Sequence, residues 1–332
     1  NVGFGLGTID GSCNCVVAGC TTDLTLVFQT DGVSNVGWEI RTQGNNTLVH
    51  SGGGVYSASL GYNLGFCLPD GCYYLVVTDD GNDGFTSNGV QGGYVLSALT
   101  NGAGRLIDNQ NNFLSGGLSQ LANGEGFCLP RGNDRLIYTS CDKLDWKTSP
   151  CGGEYVVADD NDDVNATYPN GGVDNDPSND GYQMWWYDPN GGYSFRRFQN
   201  HLTNNGFPAG ATRACHFKLN SWLGNQMSQG VLYNVKVRSR VDGNWSAWGA
   251  ACRLMIDDAA AQCPRTKLMD IPDNPYLSCG QTFPIGTSAA SRVFAHPVRR
   301  MNNSCNWVSA NRYQFRFRIP AESIDITKTS AV

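Results

Sequence analysis

Hydrophobic and polar residues alternate along the segment from Leu232 to Cys252, which reads LYNVKVRSRVDGNWSAWGAAC. Successive side chains of a β-strand point to opposite faces of a sheet. The alternating apolar positions of this segment are Tyr233, Val235 and Val237. The basic positions between and after them are Lys236, Arg238 and Arg240. The pattern therefore predicts a strand of a β-sandwich with one apolar and one basic face.

Two tryptophans, Trp245 and Trp248, follow this strand in the sequence Trp-Ser-Ala-Trp-Gly. Because Arg238 and Arg240 share a strand face, we expect them to stack on both rings through cation–π contacts. These residues resemble the WSxWS ladder of fibronectin type III and cytokine-receptor modules, although Gly249 replaces the final serine. The motif and the cysteine after it are also similar to thrombospondin type 1 repeats, of which no other part is visible. We predict that the four ladder residues are structural.

Five short apolar runs between residues 21 and 130 predict the first module. Clusters of Gly, Asn and Asp separate them and favour turns. The predicted strands are Leu24–Gln29, Gly37–Thr42, Thr47–Ser51, Cys72–Thr78 and Tyr94–Leu99. A pentapeptide, GFCLP, occurs at both Gly65–Pro69 and Gly126–Pro130 and predicts two similar strand ends. Many short strands at this spacing are typical of a sandwich or a jelly roll.

The whole chain is expected to be all-β, because no long stretch has the 3.6-residue period of a helix. Its fold class is tandem disulfide-bonded β-sandwich modules. The predicted order is an N-terminal segment or the end of a preceding module (1–20), a jelly-roll-like sandwich (21–132), a fibronectin type III-like sandwich with an acidic loop insertion (133–257), and a second, incomplete type III-like module (258–332). The last module is predicted from the alternating residues Tyr313, Phe315, Phe317 and Ile319. Since the chain opens on Asn1, we expect a processed product or a piece of a longer protein.

The amino-acid composition argues against two classes of binding partner for this chain, nucleic acids and membranes. The 332 residues include 41 glycines, and only 16% are charged, with a net charge of −6. This balance gives no electrostatic footprint for nucleic acid or an anionic membrane. Every apolar stretch is interrupted within a few residues, so we expect no membrane span.

Cysteine usage indicates the compartment. The chain has 13 cysteines at irregular spacing, without a CxxC pair, which favours disulfides in an oxidising location outside the cell or on its surface. Cys13, Cys15 and Cys20 are the alternative, a metal site, but no fourth ligand follows at zinc-like spacing. The odd total leaves one thiol that is free or bonds a neighbouring subunit or a segment beyond this chain.

The best metal candidate is the loop DDGNDG, directly after the predicted strand Cys72–Thr78. Carboxylate and amide oxygens are the ligands that Ca²⁺ prefers. The predicted ligands are Asp79, Asp80, Asn82 and Asp83. The spacing does not match an EF-hand loop, and an ordinary solvated turn is the alternative.

A second acidic cluster gives weaker metal candidates. They are Asp159, Asn161 and Asp163, at the start of an Asp-, Asn- and Gly-rich insertion that ends near Gly181. Like charges at this density repel one another, so a hydrated or disordered loop is the favoured alternative to a cation site.

Catalytic signals are weak. His50, His201, His216 and His296 are isolated, and no HExxH or GxSxG motif occurs. Trp185 and Tyr187 share one strand face and Trp186 takes the other. We expect one of these faces to lie in a core. The other face lies in a core as well, or it stacks on a sugar or packs on another subunit. We predict a protein that is not an enzyme.

One resemblance rests on motif order: Gly37-Trp38-Glu39-Ile40, Ser51–Gly54, Phe66–Tyr73, Asp79–Gly84, Gly93-Tyr94 and Phe127-Cys128. In this order the motifs are similar to a β-sandwich module repeated in large secreted proteins of Bacteroidota, many exported by type IX secretion. More distantly, the module resembles calcium-bearing CUB-like sandwiches. The resemblance implies an extracellular structural or adhesive protein, of the gliding-adhesin or cell-attached appendage class, that self-assembles into a fibre and grips surfaces or other cells. The alternative is a calcium-dependent glycan-binding accessory module of a secreted hydrolase.

Overall fold

The computed structural model describes residues 7–9, 15–17, 19–33, 35–56, 61–87, 90–137, 140–148, 155–159, 178–200, 202, 214–219 and 226–259, with four short strands between 268 and 309. All regular secondary structure in these residues is β-strand, which confirms the all-β prediction. No helix among them has the length and hydropathy needed to cross a bilayer. By its internal contacts the chain divides into two units, residues 1–261 and 262–332. The division falls close to the predicted boundary after residue 257.

The first sandwich consists of two antiparallel sheets. A small ladder of β1 (Gly7–Ile9) and β2 (Cys15–Val17) precedes it. The strands that follow are β3 (Thr22–Gln29), β4 (Asn35–Thr42), β5 (Leu48–Val55), β6 (Tyr62–Leu68), β7 (Gly71–Asp79), β8 (Thr86–Ser87), β9 (Val90–Gln91), β10 (Gly93–Ala98), β11 (Gly104–Asp108), β12 (Leu118–Gln120) and β13 (Phe127–Leu129). One sheet has the order β11-β10-β3-β6 and the other the order β12-β7-β4-β5, with β13 also paired to β7. β8 and β9 pair only with each other.

All five predicted strands of this module are confirmed, as β3, β4, β5, β7 and β10. The two GFCLP copies contain the ends of β6 and β13, as the repeat predicts. Alternate residues of β3 and β4 face the space between the sheets and are almost fully buried: Leu24, Leu26, Phe28, Val36, Trp38 and Ile40. Each side chain of this kind contributes about 1.5–3 kcal/mol on burial. The two-residue period of the sequence thus becomes the core of the sandwich.

The second sandwich is built on one large sheet. Its strands are β14 (Lys143–Trp146), β15 (Tyr155–Val157), β16 (Gly181–Tyr187), β17 (Ser194–Asn200), β18 (His216–Lys218), β19 (Leu232–Val241), β20 (Asn244–Trp245) and β21 (Cys252–Ile256). The large sheet has the order β14-β21-β19-β16-β17, in which only the β14–β21 pair is parallel. β20 pairs with β19, and β15 pairs with β18 in a separate ladder. The core contains Val235 and Val237 from β19, Trp186 from β16 and Phe217 from β18.

The strand predicted with one apolar and one basic face is confirmed as β19. β19 is the centre of its sheet, and its apolar face is buried as expected. Lys236 on the opposite face is also buried, with 2% of its surface exposed. The sequence predicted an arginine–tryptophan stack on this face, but it did not predict that the first sandwich and aromatic rings would bury Lys236 there.

The second unit is described as two short ladders. They are formed by β22 (Leu268–Met269) with β23 (Phe294–Ala295) and by β24 (Arg299–Met301) with β25 (Trp307–Ser309). The predicted strand from Tyr313 to Ile319 lies outside the described residues. A type III-like module in this unit stays a prediction.

Three disulfides join strands or strand ends in the described residues: Cys20–Cys67, Cys72–Cys128 and Cys141–Cys252. Their sequence separations are 47, 56 and 111 residues. In a chain-entropy account, loops of this length stabilise a fold by about 4 kcal/mol each. Several disulfides indicate an oxidising, non-cytoplasmic location.

Candidate functional site

The predicted calcium loop follows β7. Asp79 is buried, and its carboxylate accepts backbone N–H groups from Gly81 (3.3 Å), Asp83 (3.2 Å) and Gly84 (3.0 Å). Asp80 accepts the backbone N–H of Asn35 at 2.7 Å. The bond from Gly81 is that of an Asx turn. Asp79 therefore already fixes the loop through its own backbone.

Of the four predicted ligands, Asp80, Asn82 and Asp83 are exposed, and Asn82 has a left-handed backbone (φ 59°). Within the described part of the chain, the three carboxylates of this loop do not form a group whose oxygens lie within 4.8 Å of one another. Calcium at this loop stays a prediction.

Two Cys–Asp groups have close ligand atoms, but neither is a thiolate site. They are Cys20, Asp23 and Cys67, and Cys141, Asp142 and Cys252. The cysteines of each group are joined in a disulfide, so they offer no thiolate to a metal. Cys20, one of the three cysteines considered as ligands of a zinc-type site, is therefore part of a disulfide. Cys13 lies outside the described residues, and of Cys15 only the backbone is described.

The weaker acidic candidates are only partly visible. The carboxylate of Asp159 forms an ion pair with Arg135, and its backbone N–H donates to the Arg135 carbonyl at 2.8 Å. Asn161 and Asp163 lie outside the described residues. A cation at this cluster stays a prediction.

The ladder residues stack on one another. The Arg238 guanidinium lies 4.2 Å from the Trp245 ring centre and 4.5 Å from that of Trp248. Arg240 lies 5.2 Å from Trp245 on the far side of the stack. Since both arginines come from the same face of β19, the distance between alternate residues of the strand sets the distance between the two guanidinium groups of the ladder. The structure thus brings all four predicted residues together.

A hydroxyl network holds the turn between the two tryptophans. Ser246 accepts the backbone N–H of Ser239 at 3.0 Å, and its own hydroxyl donates to the Asp134 carboxylate. Asp134 also accepts the backbone N–H and the hydroxyl of Ser239, each at 2.9 Å. Asp134 belongs to the segment that connects the two sandwiches, so the ladder is tied to that connection.

The ladder is longer than the sequence predicted. Arg196 from β17 lies 4.5 Å from the Trp185 ring and 6.0 Å from Trp248, and so adds a rung below Arg238. At the other end, Arg240 lies 5.7 Å from the Phe198 ring. Arg196 and Phe198 are two residues apart and share a strand face. That alternation was visible in the sequence, but only the pairing of β16 with β17 places it beside the tryptophans.

The ladder ends in an interface between the two sandwiches of the first unit, here called the joint. On the first sandwich the joint contains Leu106, Asp108, Ser119, Leu121 and Gly126. On the second it contains Trp185, Tyr187, Asn190, Asn234 and Lys236. Leu121, Trp185 and Tyr187 form a buried apolar cluster against which Trp248 packs. Trp186, on the opposite face of β16, lies in the core of the second sandwich.

Polar groups in the joint are paired across it. The Asn234 side chain accepts the Asp108 N–H at 2.8 Å and donates to the Asp108 carbonyl at 2.7 Å. The Tyr187 hydroxyl donates to the Leu106 carbonyl at 3.3 Å. Because Asn234 is fully buried, each bond that it lost would leave an unsatisfied group, at a cost of about 1–3 kcal/mol.

A second polar cluster lies beside the first. The Asn190 side-chain oxygen accepts from the Ser119 hydroxyl and from Asn109 Nδ2, each at 2.7 Å. Its Nδ2 group donates to the Asn112 carbonyl at 2.8 Å. One side chain of the second sandwich thus fixes three residues of the first.

Charges also cross the interface. Arg105 of β11 forms an ion pair across it with Asp142 and a second one within the first sandwich with Asp108, each at 2.7 Å. Glu125 lies 3.8 Å from Arg196 and accepts the Ser194 hydroxyl. These pairs are partly exposed, so they fix the register of the joint more than they stabilise it.

Lys236 is the most unusual group of the joint. Its ammonium nitrogen lies 5.4 Å from the ring centres of both Trp185 and Tyr187 and donates to the Gly126 carbonyl at 3.2 Å. Burial lowers its pKa to about 7, and the positive charges of Arg131 and Arg196 act in the same direction. The aromatic faces favour the cation, but the loss of hydration outweighs them.

The connecting segment approaches the ladder turn closely. The backbone N–H of Gly132 donates to the Trp248 carbonyl at 2.9 Å. A Cβ atom at Gly132 would overlap the Ala247 carbonyl oxygen. Glycine is therefore required here so that the connection can lie against the second sandwich.

The described histidines have aromatic neighbours. The His50 ring lies 5.3 Å from Phe66, and burial lowers its pKa. The His216 ring lies 6.1 Å from Tyr155. His201 and His296 lie outside the described residues. The absence of an enzymatic activity stays a prediction.

Comparison with known proteins found no matching family model and no matching curated protein. The resemblances drawn from the motifs stay predictions.

Proposed function

We propose that this chain is a segment of an extracellular structural or adhesive protein, without enzymatic activity, whose modules serve reach and attachment. The observation that carries the proposal is the joint. Two sandwiches that moved independently would expose polar surface to water between them, whereas here the side chains of Asn234 and Asn190 both donate and accept hydrogen bonds across the interface. A stiff pair of modules suits a protein that transmits force or holds a distance.

The order of strands supports the predicted module types. In the second sandwich, neighbouring strands are β21, β19, β16 and β17, with β15 and β18 apart from them. This order supports the proposal of a fibronectin type III-like or immunoglobulin-like sandwich. The two four-stranded paths of the first sandwich suit a jelly-roll-like module. The order of its motifs supports the proposal of a secreted Bacteroidota surface protein, and its disulfides support a location outside the cytoplasm.

Rigidity of the joint is tested by unfolding. If the sandwiches are coupled, they unfold in one transition, and Asn234→Ala separates it into two by removing both bonds to Asp108. Asn244→Ala is the matched control, because Asn244 is an exposed asparagine near the end of the same sheet. Calorimetry that shows two independent transitions in the unaltered chain would contradict a stiff joint.

Function itself is tested by electron microscopy of material from the cell surface, in calcium and in chelator. Regular fibres or rings are expected, and their loss in chelator would connect assembly to calcium. Dispersed monomers in both conditions would contradict the proposal. That result would favour the calcium-dependent accessory module, with a glycan-binding screen as the next measurement.

A further inference from the structure

The ladder carries a row of positive charge along one face of the second sandwich. Its guanidinium groups belong to Arg196, Arg238 and Arg240. The Trp248 ring lies between the first two groups, and the Trp245 ring lies between the last two. Because β17 and β19 both pair with β16, alternate residues of the two strands share this face. The row reaches solvent, since 38% of Trp245 and 40% of the Arg196 side chain are exposed.

Carboxylates leave most of this charge uncompensated. Arg196 has Glu125 at 3.8 Å, whereas among the residues that the structure describes neither Arg238 nor Arg240 forms an ion pair. Arginines elsewhere in the described residues do pair with carboxylates: Arg41, Arg105, Arg135 and Arg253. The ladder therefore concentrates positive charge in a chain whose net charge is −6.

Hydrogen-bond donors of the ladder are also available. Arg238 donates from Nε to the Gln183 side chain at 2.9 Å, and Arg240 donates from Nε to the Gly243 carbonyl at 3.0 Å. Within the described part of the chain, the Nη groups of both arginines form no hydrogen bond. A guanidinium group is planar and offers paired N–H donors to an oxyanion. Because the Nε bonds hold each group in place, the Nη donors are preorganised for such a ligand.

Like charges within the ladder repel one another. Burial lowers the pKa of Arg238, and the positive charge of Arg196 acts in the same direction. Lys236, next to Arg238 on the same strand face, is affected by the charge of Arg196 as well. An anion bound along the row would relieve this repulsion, because an opposite charge favours the charged form of each group.

The aromatic faces of the ladder are occupied, which limits the class of ligand. Guanidinium groups of Arg238 and Arg240 lie over the Trp245 ring, at 4.2 and 5.2 Å from its centre. A neutral sugar or a nucleobase needs an open aromatic face on which to stack. A polymer with repeating negative charges needs only the row of guanidinium groups. An acidic glycan also fits the non-cytoplasmic location that the disulfides indicate.

We propose that the ladder is a binding site for an acidic polysaccharide, a linear glycan with carboxylate or sulfate groups at regular intervals. The anionic groups accept hydrogen bonds from Arg196, Arg238 and Arg240, while the tryptophans hold the guanidinium groups in a line. Such binding depends on charge, so it weakens as the salt concentration rises and it requires no calcium. This inference rests on the proposed function, since it names the chemical class of surface to which the protein attaches.

The test is calorimetric titration of the full chain with two anionic polymers, alginate for carboxylate groups and dextran sulfate for sulfate groups. Neutral dextran is the control, and chelator is present throughout because carboxylate oxygens bind calcium. The chain is expected to bind at least one anionic polymer, with a dissociation constant that rises with salt concentration. The polymer bound more tightly identifies the anionic group. Binding to neither polymer, equal binding to neutral dextran, or tighter binding to DNA than to both would overturn the inference.

A glutamate variant gives a readout that loss of folding cannot imitate. Glu125→Gln removes the carboxylate beside Arg196 and keeps an acceptor for the Ser194 hydroxyl. It is expected to tighten binding several-fold, because the row then carries more net positive charge. Glu39→Gln is the matched control, since Glu39 also pairs with an arginine but lies on β4 of the first sandwich. Equal affinities of the two variants would contradict the site.

Arginine variants test the row directly. Arg196→Gln and Arg240→Gln are each expected to weaken binding about tenfold, as the loss of a hydrogen bond to a charged group does. Arg135→Gln is the control, because Arg135 is an exposed arginine outside the ladder. Melting curves without polymer show whether each variant is folded, and if an arginine variant is not, Glu125→Gln decides. Folded ladder variants that bind like the unaltered chain would overturn the inference.

Failure of this inference can be separated from failure of the proposed function. Fibres in cell-surface material, together with a chain that binds no acidic polysaccharide, would overturn the inference and leave the proposed function intact. Binding through the ladder by a chain that forms no native fibres would instead contradict the proposed function alone.

Discussion

The two sides of the first sandwich treat their sheet edges in opposite ways. On the joint side, β11 to β13 meet aromatic rings, asparagine side chains and a lysine from the second sandwich. On the other side, β5 and β6 are uncharged and have no partner strand beyond β4 and β3 among the described residues. Other residues of the chain cover the sheet edges on the joint side, whereas the described residues leave β5 and β6 open.

The comparison explains where stability is concentrated. Burial in the joint removes side chains such as Trp185 and Tyr187 from water, and their loss would affect both sandwiches. Exposed side chains on β5 contribute little to the folded monomer. Substitutions on the two sides should therefore differ in their effect on the free energy of unfolding.

The largest effect is expected from Trp185→Ala. Trp185 is 2% exposed and contacts Tyr187, Trp248, Arg196 and Lys236. Truncation of a buried aromatic residue costs about 3–5 kcal/mol, as measured by urea denaturation. Val55→Ala on the open edge is the control and should change stability by no more than about 0.5 kcal/mol. Equal losses at the two positions would contradict the difference between the sides.

A pH dependence is expected next, from Lys236. In the unfolded chain its pKa has the ordinary value of 10.5, and in the folded chain it is about 7. Between these values the unfolded chain binds a proton that the folded chain lacks, so stability rises as the pH rises from 7 to 10.5. Below pH 7 the full cost of burying the cation, a few kcal/mol, remains.

The substitution Lys236→Met removes this pH-dependent cost of burying an ammonium group. The variant is expected to be more stable than the unaltered chain at pH 6–7, and the difference should shrink as the pH rises. Denaturation at several pH values measures it, and because only the difference between the two proteins is used, other lysines cancel. A difference that stays constant with pH would mean that Lys236 does not change its ionisation on folding.

The smallest effect is expected at the loop after β7. If calcium binds there, Asp83→Ala lowers the melting temperature in calcium but scarcely alters it in chelator. Asp79→Ala is the contrast, because it removes three backbone hydrogen bonds and should destabilise the fold in both conditions. Equal effects of Asp83→Ala in calcium and chelator would contradict the calcium prediction.

The ladder shows which contacts a local sequence pattern can predict and which it cannot. Arg238 and Arg240 alternate along one strand, and the tryptophans follow within a few residues, so the sequence contained all four predicted members. Arg196 and Phe198 alternate in the same way, but they lie some forty residues earlier in the chain. Their place depends on the pairing of β16 with both β17 and β19, which no local pattern specifies.

Alternating hydrophobicity and turn residues by themselves determined the all-β class, the five predicted strands of the first sandwich and the apolar face of β19. These follow from the two-residue period of a strand, which is a local property of the backbone. The cysteine count indicated disulfides, but only the fold decided that Cys20 pairs with Cys67. Tertiary structure alone decided that Lys236 is buried and that β5 is an edge. Both depend on which segments become neighbours, and residues far apart in sequence settle that together.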